Sequence, residues 1–339
     1  NLINITFMRV FITGSEGFIG SHLTEKLVEK GHDVKAFVMY NFNNSNGWLD
    51  DLNKNIKNNI QISKGDIRDF DTLKKETRKY DAIIHLAALI SIPYSYHSPR
   101  SYIDTNAVGT LNILQTAKEN KISRIINTST SEVYGSAKKI PIDEEHPLQS
   151  QSPYSASKIA ADQISMSFYN SFDLPITILR PFNTFGPRQS ERAIIPTIIK
   201  QIATTRNKAI VLGNIFPTRD FNYIDDICEG YIKALTAKNI FGQIINLGSG
   251  YEISIKSLAI MISSLMNQKI KIKNVYERKR PKKSEVDRLC ASNKKAARLL
   301  NWKPKFVGES GLKKGLIKTI DWYKRKKLLH KKSTTNYVI

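Results

Sequence analysis

The chain has 339 residues, enough to bury a large core in one domain or two. With 41% hydrophobic and 24% charged residues and no apolar run of membrane-spanning length, it has the composition of a folded globular protein, and we expect no membrane partner. The net charge of +22 is typical of some nucleic-acid binders, but the basic residues are scattered, so we expect no nucleic-acid partner.

A glycine-rich turn follows the first predicted strand. The run Arg9–Thr13 predicts a buried strand, and the apolar spacing after residue 18 predicts a helix. The turn between them has the spacing Gly-x-x-Gly-x-x-Gly, which lets the backbone approach a pyrophosphate at a helix N-terminus. Dinucleotide contacts are therefore predicted for Gly14, Gly17, Phe18, Ile19 and Gly20.

The next two strands bear on the choice of dinucleotide. Residues 34–39 predict a strand whose end, in such folds, carries an acid for the NAD ribose or an arginine for the NADP phosphate. This strand ends in neither, and no lysine or arginine occurs between residues 37 and 52, which favours NAD. A third strand, 60–63, is followed by Asp66 and Ile67. Asp66 is a candidate for holding the adenine or, alternatively, a turn or helix cap.

Two more predicted strands bring further residues to the same sheet edge, because ligands bind at the carboxyl ends of parallel strands. Ala82–His85 is apolar, and His85 is more typical of a core histidine than of a catalyst. Arg124–Thr128 is the fifth strand. The small residues after the fourth strand and the end of the fifth are predicted cofactor contacts: Leu86, Ala87, Ala88 and Thr128.

The segment after the fifth strand carries the candidate catalytic groups. If residues 152–172 form a helix, Tyr154 and Lys158 are i,i+4 neighbours. An ammonium beside a phenol favours the phenolate, so we expect the pKa of Tyr154 to lie below its usual value of about 10. Such a tyrosine could take a hydroxyl proton near neutral pH. Thr130 and Glu132 precede it, although Tyr-x-x-x-Lys alone also occurs on ordinary surface helices.

Beyond Pro181 proline, glycine and arginine are interspersed. We predict helices over 102–119, 196–205, from 254 onward and over 310–327, and strands over 176–180, 244–248 and 269–272. Strands alternating with helices predict an α/β fold, a doubly wound Rossmann-type parallel sheet with a smaller α/β substrate domain. The expected bounds are 8–181 plus about 219–249 for the dinucleotide-binding domain, 182–218 plus 250–325 for the substrate domain, and 326–339 for a basic tail.

Together these segments resemble the extended short-chain dehydrogenases/reductases that act on nucleotide sugars. The motifs that carry the resemblance lie at residues 13–20, 65–67, 86–88, 154–158, 180–183 and 219–221. The resemblance implies a tightly bound NAD that is regenerated in each turnover, with Pro181 among its contacts. It also implies that the smaller domain binds the sugar nucleotide. Asn183 and Arg219 are candidates for its pyrophosphate, and Arg280 and Glu285 for its nucleoside.

Within that family, Thr130-Ser131-Glu132 resembles the 4,6-dehydratases, in which a base removes the C-5 proton. Serine before the glutamate is similar to GDP-mannose-type dehydratases, and so is the segment 280–289, with one inserted residue. Residues 85–96 and 152–159 resemble the dehydratases of the legionaminic-acid pathway, which act on GDP-N-acetylglucosamine. That substrate is implied by resemblance only.

The hypothesis is an internal redox elimination that gives a 4-keto-6-deoxy sugar. Tyr154, held as phenolate by Lys158, takes the O-4 proton while the C-4 hydride passes to NAD, and Thr130 binds O-4. Glu132 removes the C-5 proton, water leaves from C-6, and the hydride returns there. Many relatives have an aspartate where this chain has Ser131, a predicted substrate contact, so Glu132 is expected to act as base and then as acid.

Other functions remain open at this point. A nucleotide-sugar 4-epimerase is disfavoured by Glu132, and a decarboxylase by the residues between Tyr154 and Lys158. A non-catalytic NAD- or RNA-binding scaffold would explain the charge but not these catalytic residues. The two cysteines suggest no disulfide framework or metal site, and a cytoplasmic location fits best. The resemblance implies a homodimer formed by a four-helix bundle of the helices near 102–119 and 152–172.

Overall fold

The computed structural model describes residues 7–205, 209–275 and 281–330. In chain order the strands are β1 (Arg9–Thr13), β2 (Asp33–Met39), β3 (Ile60–Gly65), β4 (Ala82–His85), β5 (Arg124–Thr128), β6 (Ile176–Pro181), β7 (Thr184–Phe185), β8 (Ala209–Leu212), β9 (Thr218–Asp220), β10 (Asn222–Tyr223), β11 (Gln243–Leu247), β12 (Glu252–Ser254), β13 (Lys271–Asn274) and β14 (Arg288–Leu289). The α-helices are α1 (Phe18–Glu29), α2 (Lys54–Asn58), α3 (Phe70–Glu76), α4 (Ile92–His97), α5 (Pro99–Tyr102), α6 (Gly109–Glu119), α7 (Pro153–Phe172), α8 (Ile194–Thr204), α9 (Ile224–Thr236), α10 (Ile255–Leu265), α11 (Lys294–Leu300) and α12 (Gly308–Arg325). Short 3-10 turns occur at Gly47–Asp51, Ser131–Tyr134, Lys282–Ser284 and Leu328–His330.

Seven strands form the main sheet in the order β11-β6-β5-β4-β1-β2-β3, with every neighbouring pair parallel. β4 and β6 are buried along their whole length, as expected of parallel strands covered on both faces by helices. The chain leaves β1 toward β2 and β3 on one side and reaches β4 and β5 on the other. This reversal opens a crevice at the carboxyl ends of the strands. The predicted doubly wound α/β fold is confirmed.

Smaller sheets follow residue 181. β10 pairs with β7, β13 pairs with β8, and the order in the third is β12-β9-β14. The segments that carry them pack on the main sheet rather than apart from it. One buried cluster contains Leu179 of the main sheet, Ile198 of α8 and Leu316 of α12. The rim of the crevice on this side is therefore fixed by the same hydrophobic core as its floor.

Two local predictions need correction, and several elements were not predicted. The predicted helix 102–119 is interrupted by a π-helical segment, Ile103–Val108, between α5 and α6. α11 was not predicted, and the strand expected at 269–272 lies at Lys271–Asn274, where it pairs with β8, which was also not predicted. These short elements are specified by tertiary partners, whereas the main strands have a strong pattern of their own. Among the described residues, no helix is long and apolar enough to span a membrane.

Candidate active site

The carboxyl ends of the main-sheet strands open into a cleft of about 1450 Å³. Every described residue that the sequence analysis assigned to catalysis, cofactor or substrate lines this cleft. Arg280, the remaining candidate, lies outside the described residues. Segments from β1 to the loop before β14 thus converge on one site, because parallel strands bring their carboxyl ends to one edge.

The glycine turn forms one wall and leaves no room for side chains. Gly14 has φ +70°, and a Cβ there would lie 2.8 Å from the backbone nitrogen of Ala87. A Cβ on Gly20 would lie 2.1 Å from the carbonyl oxygen of Gly14. α1 begins after Gly17 without a side-chain cap, so its first N–H groups face the turn. This cradle suits the pyrophosphate of a dinucleotide, which a helix N-terminus and close backbone approach both favour.

The end of β5 presents a hydroxyl and a carboxylate to the cleft. Thr130 caps the following 3-10 turn, and its Oγ1 accepts a hydrogen bond from the backbone N–H of Glu132 at 3.2 Å. Ser131 and Glu132 are both buried, with exposed fractions of 2% and 8%. Glu132 is therefore a buried carboxylate and not an exposed surface residue.

α7 begins at the cleft and orients Tyr154. Ser152 and Ser155 form a capping box, and Pro153 occupies the first turn, so the start of the helix is firmly defined. The ring of Tyr154 packs edge-on against Tyr102 with 6.2 Å between ring centroids. The Thr130 side chain is close enough to oppose, by hydrogen bonding, part of the rise in the pKa of Tyr154. Tyr154 and Thr130 thus line the same part of the cleft.

The pKa of Tyr154 shifts in the direction opposite to the one that its spacing from Lys158 predicted. Nζ of Lys158 donates a hydrogen bond to the carbonyl oxygen of Thr128 at 2.5 Å. Burial raises the pKa of Tyr154 above its usual value, because removal from water disfavours the phenolate, and the nearby Glu132 charge adds to the rise. Burial also lowers the pKa of Lys158 to about 8. The i,i+4 spacing of Tyr154 and Lys158 does not reveal how deeply the two side chains are buried.

A buried ion pair supports the catalytic wall from behind. Oδ2 of Asp162, one turn beyond Lys158, accepts hydrogen bonds from Nε and Nη2 of Arg180 at 3.1 and 2.9 Å. The same oxygen accepts a hydrogen bond from Ser129 Oγ at 2.7 Å. Ser129 lies between the end of β5 and Thr130, so the pair fixes the strand end relative to α7. The sequence predicted no role for Asp162, because its partner Arg180 lies on another element.

The opposite rim carries the candidate substrate contacts. Arg219 at β9 is 6% exposed, and its Nη2 lies 3.8 Å from Oε1 of Glu285. Oδ1 of Asn183 is buried without a hydrogen-bond partner among the described residues, so it can still accept one. Asp220, next to Arg219, instead has a structural role. Its carboxylate accepts hydrogen bonds from the backbone N–H groups of Ser249, Gly250 and Ala291.

At the far end of the cleft, Asp66 accepts hydrogen bonds from the Arg68 guanidinium and from its backbone N–H. The guanidinium lowers the pKa of Asp66. Asp69, rather than Asp66, caps α3. Glu16 of the glycine turn, which the sequence analysis passed over, supplies a carboxylate beside the end of β2. His85 is the core histidine that was expected, 2% exposed between the hydroxyls of Thr13 and Thr110.

Comparison with known proteins places these features in a family. Residues 11–315 match the family model described as GDP-mannose 4,6 dehydratase. A putative UDP-glucose 4-epimerase from Methanocaldococcus jannaschii is 32% identical over 93% of this chain and 98% of its own length. The human dTDP-D-glucose 4,6-dehydratase is 31% identical over 93% of this chain and 90% of its own length.

Among solved structures, the chain is similar to DesIV from Streptomyces venezuelae, a dTDP-glucose 4,6-dehydratase with NAD and TYD bound. The TM-score is 0.82 at 27% identity, over 94% of this chain and 98% of that one. Relatives at this level include both dehydratases and epimerases, so the similarity defines the family and leaves the choice of reaction to the site.

Proposed function

Because the chain belongs to the GDP-mannose 4,6-dehydratase family of extended short-chain dehydrogenases/reductases, we propose that it is an NAD-dependent nucleotide-sugar 4,6-dehydratase. The observation that carries this proposal is Glu132, a buried carboxylate beside Thr130 in the cleft that also holds Tyr154. A dehydratase needs a base for the C-5 proton, whereas 4-epimerisation involves C-4 alone. The product is a 4-keto-6-deoxy sugar nucleotide.

NAD would be held against the wall formed by the glycine turn, the carboxyl ends of β3 to β6 and the start of α7. The proposed contacts are Gly14, Gly17, Phe18, Ile19, Gly20, Asp66, Ile67, Leu86, Ala87, Ala88, Thr128, Tyr154, Lys158 and Pro181. When bound, NAD supplies a positively charged nicotinamide that takes up a hydride from C-4 of the sugar and returns it at C-6. A positive charge beside Tyr154 would oppose the rise in its pKa that burial causes.

Tyr154 and Thr130 act at C-4. Tyr154 takes the O-4 proton, and the Thr130 hydroxyl, which lines the same cleft, donates to O-4 as it becomes a ketone. The Lys158 ammonium, held at the Thr128 carbonyl, keeps a positive charge one helical turn from the phenol. This charge favours proton removal without outweighing the effect of burial by itself.

Glu132 acts at C-5 and C-6. The C-4 ketone acidifies the C-5 proton, which the carboxylate removes, and the C-6 hydroxyl leaves with a proton as water. Ser131 cannot act as a carboxylic acid in this step, so Glu132 returns the proton that the leaving hydroxyl requires. Hydride return at C-6 leaves an enolate, which takes up a solvent-derived proton at C-5, while Tyr154 releases the O-4 proton to solvent. The elimination thus removes one water in total, and the reduction at C-6 balances the oxidation at C-4.

We propose GDP-N-acetylglucosamine as the substrate, in a legionaminic-acid type of surface-sugar biosynthesis. Support comes from the sequence resemblance of residues 85–96 and 152–159 and from the cleft. Arg219 and Asn183 bind the pyrophosphate, Ser131 contacts the sugar, and Glu285 meets the nucleoside. Arg280 is proposed to join it, although it lies outside the described residues.

The domain division proposed from the sequence places this substrate between the sheet and the segments after residue 181. We also propose a cytoplasmic homodimer. Ile103, Val108 and Phe172, in the segments expected to form the four-helix bundle, are each 40% exposed or more. The buried thiols of Cys228 and Cys290 are unbridged, in keeping with a reducing compartment. The alternative, a nucleotide-sugar 4-epimerase, is favoured by the M. jannaschii relative and disfavoured by the burial of Glu132.

Glu132→Gln tests the proposed reaction. With GDP-N-acetylglucosamine in deuterated water, the wild-type enzyme should give a product that has lost water and carries deuterium at C-5. Glu132→Gln should lower that rate by about 10²- to 10⁴-fold, the range for loss of a general acid–base group. Glu145→Gln, an exposed carboxylate in the same loop region, is the matched control and should leave the rate unchanged. A dehydration rate near wild type in Glu132→Gln would refute the role.

A further inference from the structure

We infer that Glu16, in the glycine turn, supplies the acid that selects NAD over NADP, in place of an acid at the end of β2. This inference rests on the proposed use of NAD. It concerns the adenine end of the cleft, where the sequence offered no selecting residue at the expected position.

The carboxylate of Glu16 lies at the end of β2 although the residue belongs to another element. Its Oε1 accepts a hydrogen bond from the backbone N–H of Met39, the last residue of β2, at 2.9 Å. The carbonyl oxygen of Glu16 accepts a hydrogen bond from the backbone N–H of Trp48 at 3.0 Å. Gly47 makes this approach possible, because a Cβ there would lie 2.7 Å from that carbonyl oxygen. The side chain is thus held between β2 and the following 3-10 turn.

The second carboxylate oxygen has unmet hydrogen-bonding capacity. Oε2 of Glu16 is buried without a partner among the described residues, yet Glu16 lines the cleft. Leaving such an oxygen buried and unsatisfied is unfavourable. Burial also raises the pKa of the carboxyl group. A hydroxyl donor arriving from the cleft would satisfy the oxygen, and in dinucleotide-binding folds the ribose 2′-hydroxyl is the group presented at the end of β2.

Charge at this end of the cleft opposes a 2′-phosphate. Of the described residues lining it near β2 and β3, three are acidic: Glu16, Asp51 and Asp66. The basic residue in the same part of the lining is Arg68, and its guanidinium is bound to Asp66. NADP would therefore bring a phosphate dianion toward the Glu16 carboxylate without an uncommitted cation among the described residues of that lining.

The test compares dinucleotide affinities rather than turnover. After removal of bound nucleotide on charcoal, NAD and NADP are titrated calorimetrically into wild type, Glu16→Gln and Glu29→Gln. Glutamine keeps an oxygen for the Met39 N–H, so the variant removes the charge and preserves the loop contact. Loss of a charge-assisted hydrogen bond of about 1.5–3 kcal/mol predicts that the ratio of NAD to NADP affinity falls by about ten- to a hundredfold. Glu29→Gln, an exposed carboxylate of α1, should keep the wild-type ratio and turnover.

An unchanged ratio in Glu16→Gln would overturn the inference while leaving a turning-over dehydratase intact. A wild-type protein that dehydrates sugar nucleotides but binds NAD and NADP equally would overturn it as well, without any variant. A wild-type protein that binds neither dinucleotide would overturn the inference together with the proposed function. Dehydration measured on the same preparations separates these cases.

Discussion

Asp162→Asn should destabilise the protein far more than a typical loss of charge, because its partner cannot reach water. The side chains of Asp162 and Arg180 are 0% and 1% exposed. One oxygen, Oδ2, accepts all three hydrogen bonds, two from Arg180 and one from Ser129. Asparagine can keep that acceptor, but it leaves the guanidinium buried without a counter-charge, which costs about 3–5 kcal/mol.

The amide nitrogen of the introduced asparagine adds to this cost. Oδ1 of Asp162 is buried with no partner among the described residues, so an amide nitrogen placed there would also lack an acceptor. An unsatisfied buried donor costs about 1–3 kcal/mol, although the two penalties act on one site and do not add fully. We therefore expect the free energy of unfolding to fall by about 3–5 kcal/mol.

Urea unfolding followed by circular dichroism measures the change. Asp321→Asn is the matched control, because Asp321 and Lys324 form an exposed pair at 3.9 Å with both side chains 55% exposed. That substitution should cost about 0–1 kcal/mol. If Asp162→Asn cost no more than Asp321→Asn, the assignment of a structurally important buried ion pair behind the catalytic wall would be refuted.

Three further predictions concern the cleft. Lys158→Met should abolish turnover. It should also change how stability depends on pH, because burial lowers the pKa of Lys158 from 10.5 to about 8. Between those two pH values the unfolded state therefore binds more protons than the folded state. Wild-type stability should therefore rise relative to Lys158→Met by about 2 kcal/mol between about pH 8 and 10, and a flat difference in urea titrations would contradict this sign. Gly20→Ala should lose bound NAD, because its Cβ would lie 2.1 Å from the carbonyl oxygen of Gly14. Gly17→Ala, whose Cβ would lie 3.3 Å from that oxygen, should retain more NAD. Chromatography of the nucleotide released from denatured protein measures retention, and equal retention in the two variants would be evidence against the cradle. Arg219→Ala should raise KM for the sugar nucleotide by about ten- to a hundredfold with a smaller change in kcat, and an unchanged KM would exclude the pyrophosphate role.

The main sheet was predictable because its strands carry their own signal. β1, β4 and β6 are runs of β-branched and apolar residues between turn residues, and the glycine spacing after β1 marks the dinucleotide cradle. Once parallel strands are assumed, their ends must meet at one edge. This rule, rather than any single motif, predicted that Thr130, Glu132 and Tyr154 lie at the same edge of the sheet.

What the sequence did not reveal depends on burial and on contacts between distant elements. The lowered pKa expected for Tyr154 followed from helical spacing, but the degree of desolvation that reverses it is a tertiary property. Asp162 was missed because its partner, Arg180, lies on another element. Glu16 gave no signal in the sequence because it is far from the end of β2 along the chain, whereas the fold packs the glycine turn against that end.

The most direct test of the central claim is mass spectrometry of wild-type protein incubated with GDP-N-acetylglucosamine, its UDP counterpart or GDP-mannose, without added cofactor. We expect GDP-N-acetylglucosamine to give a product lighter by one water, formed with NAD that remains bound through purification. Unchanged mass for all three sugar nucleotides, in a preparation shown to contain NAD, would contradict the assignment as a 4,6-dehydratase.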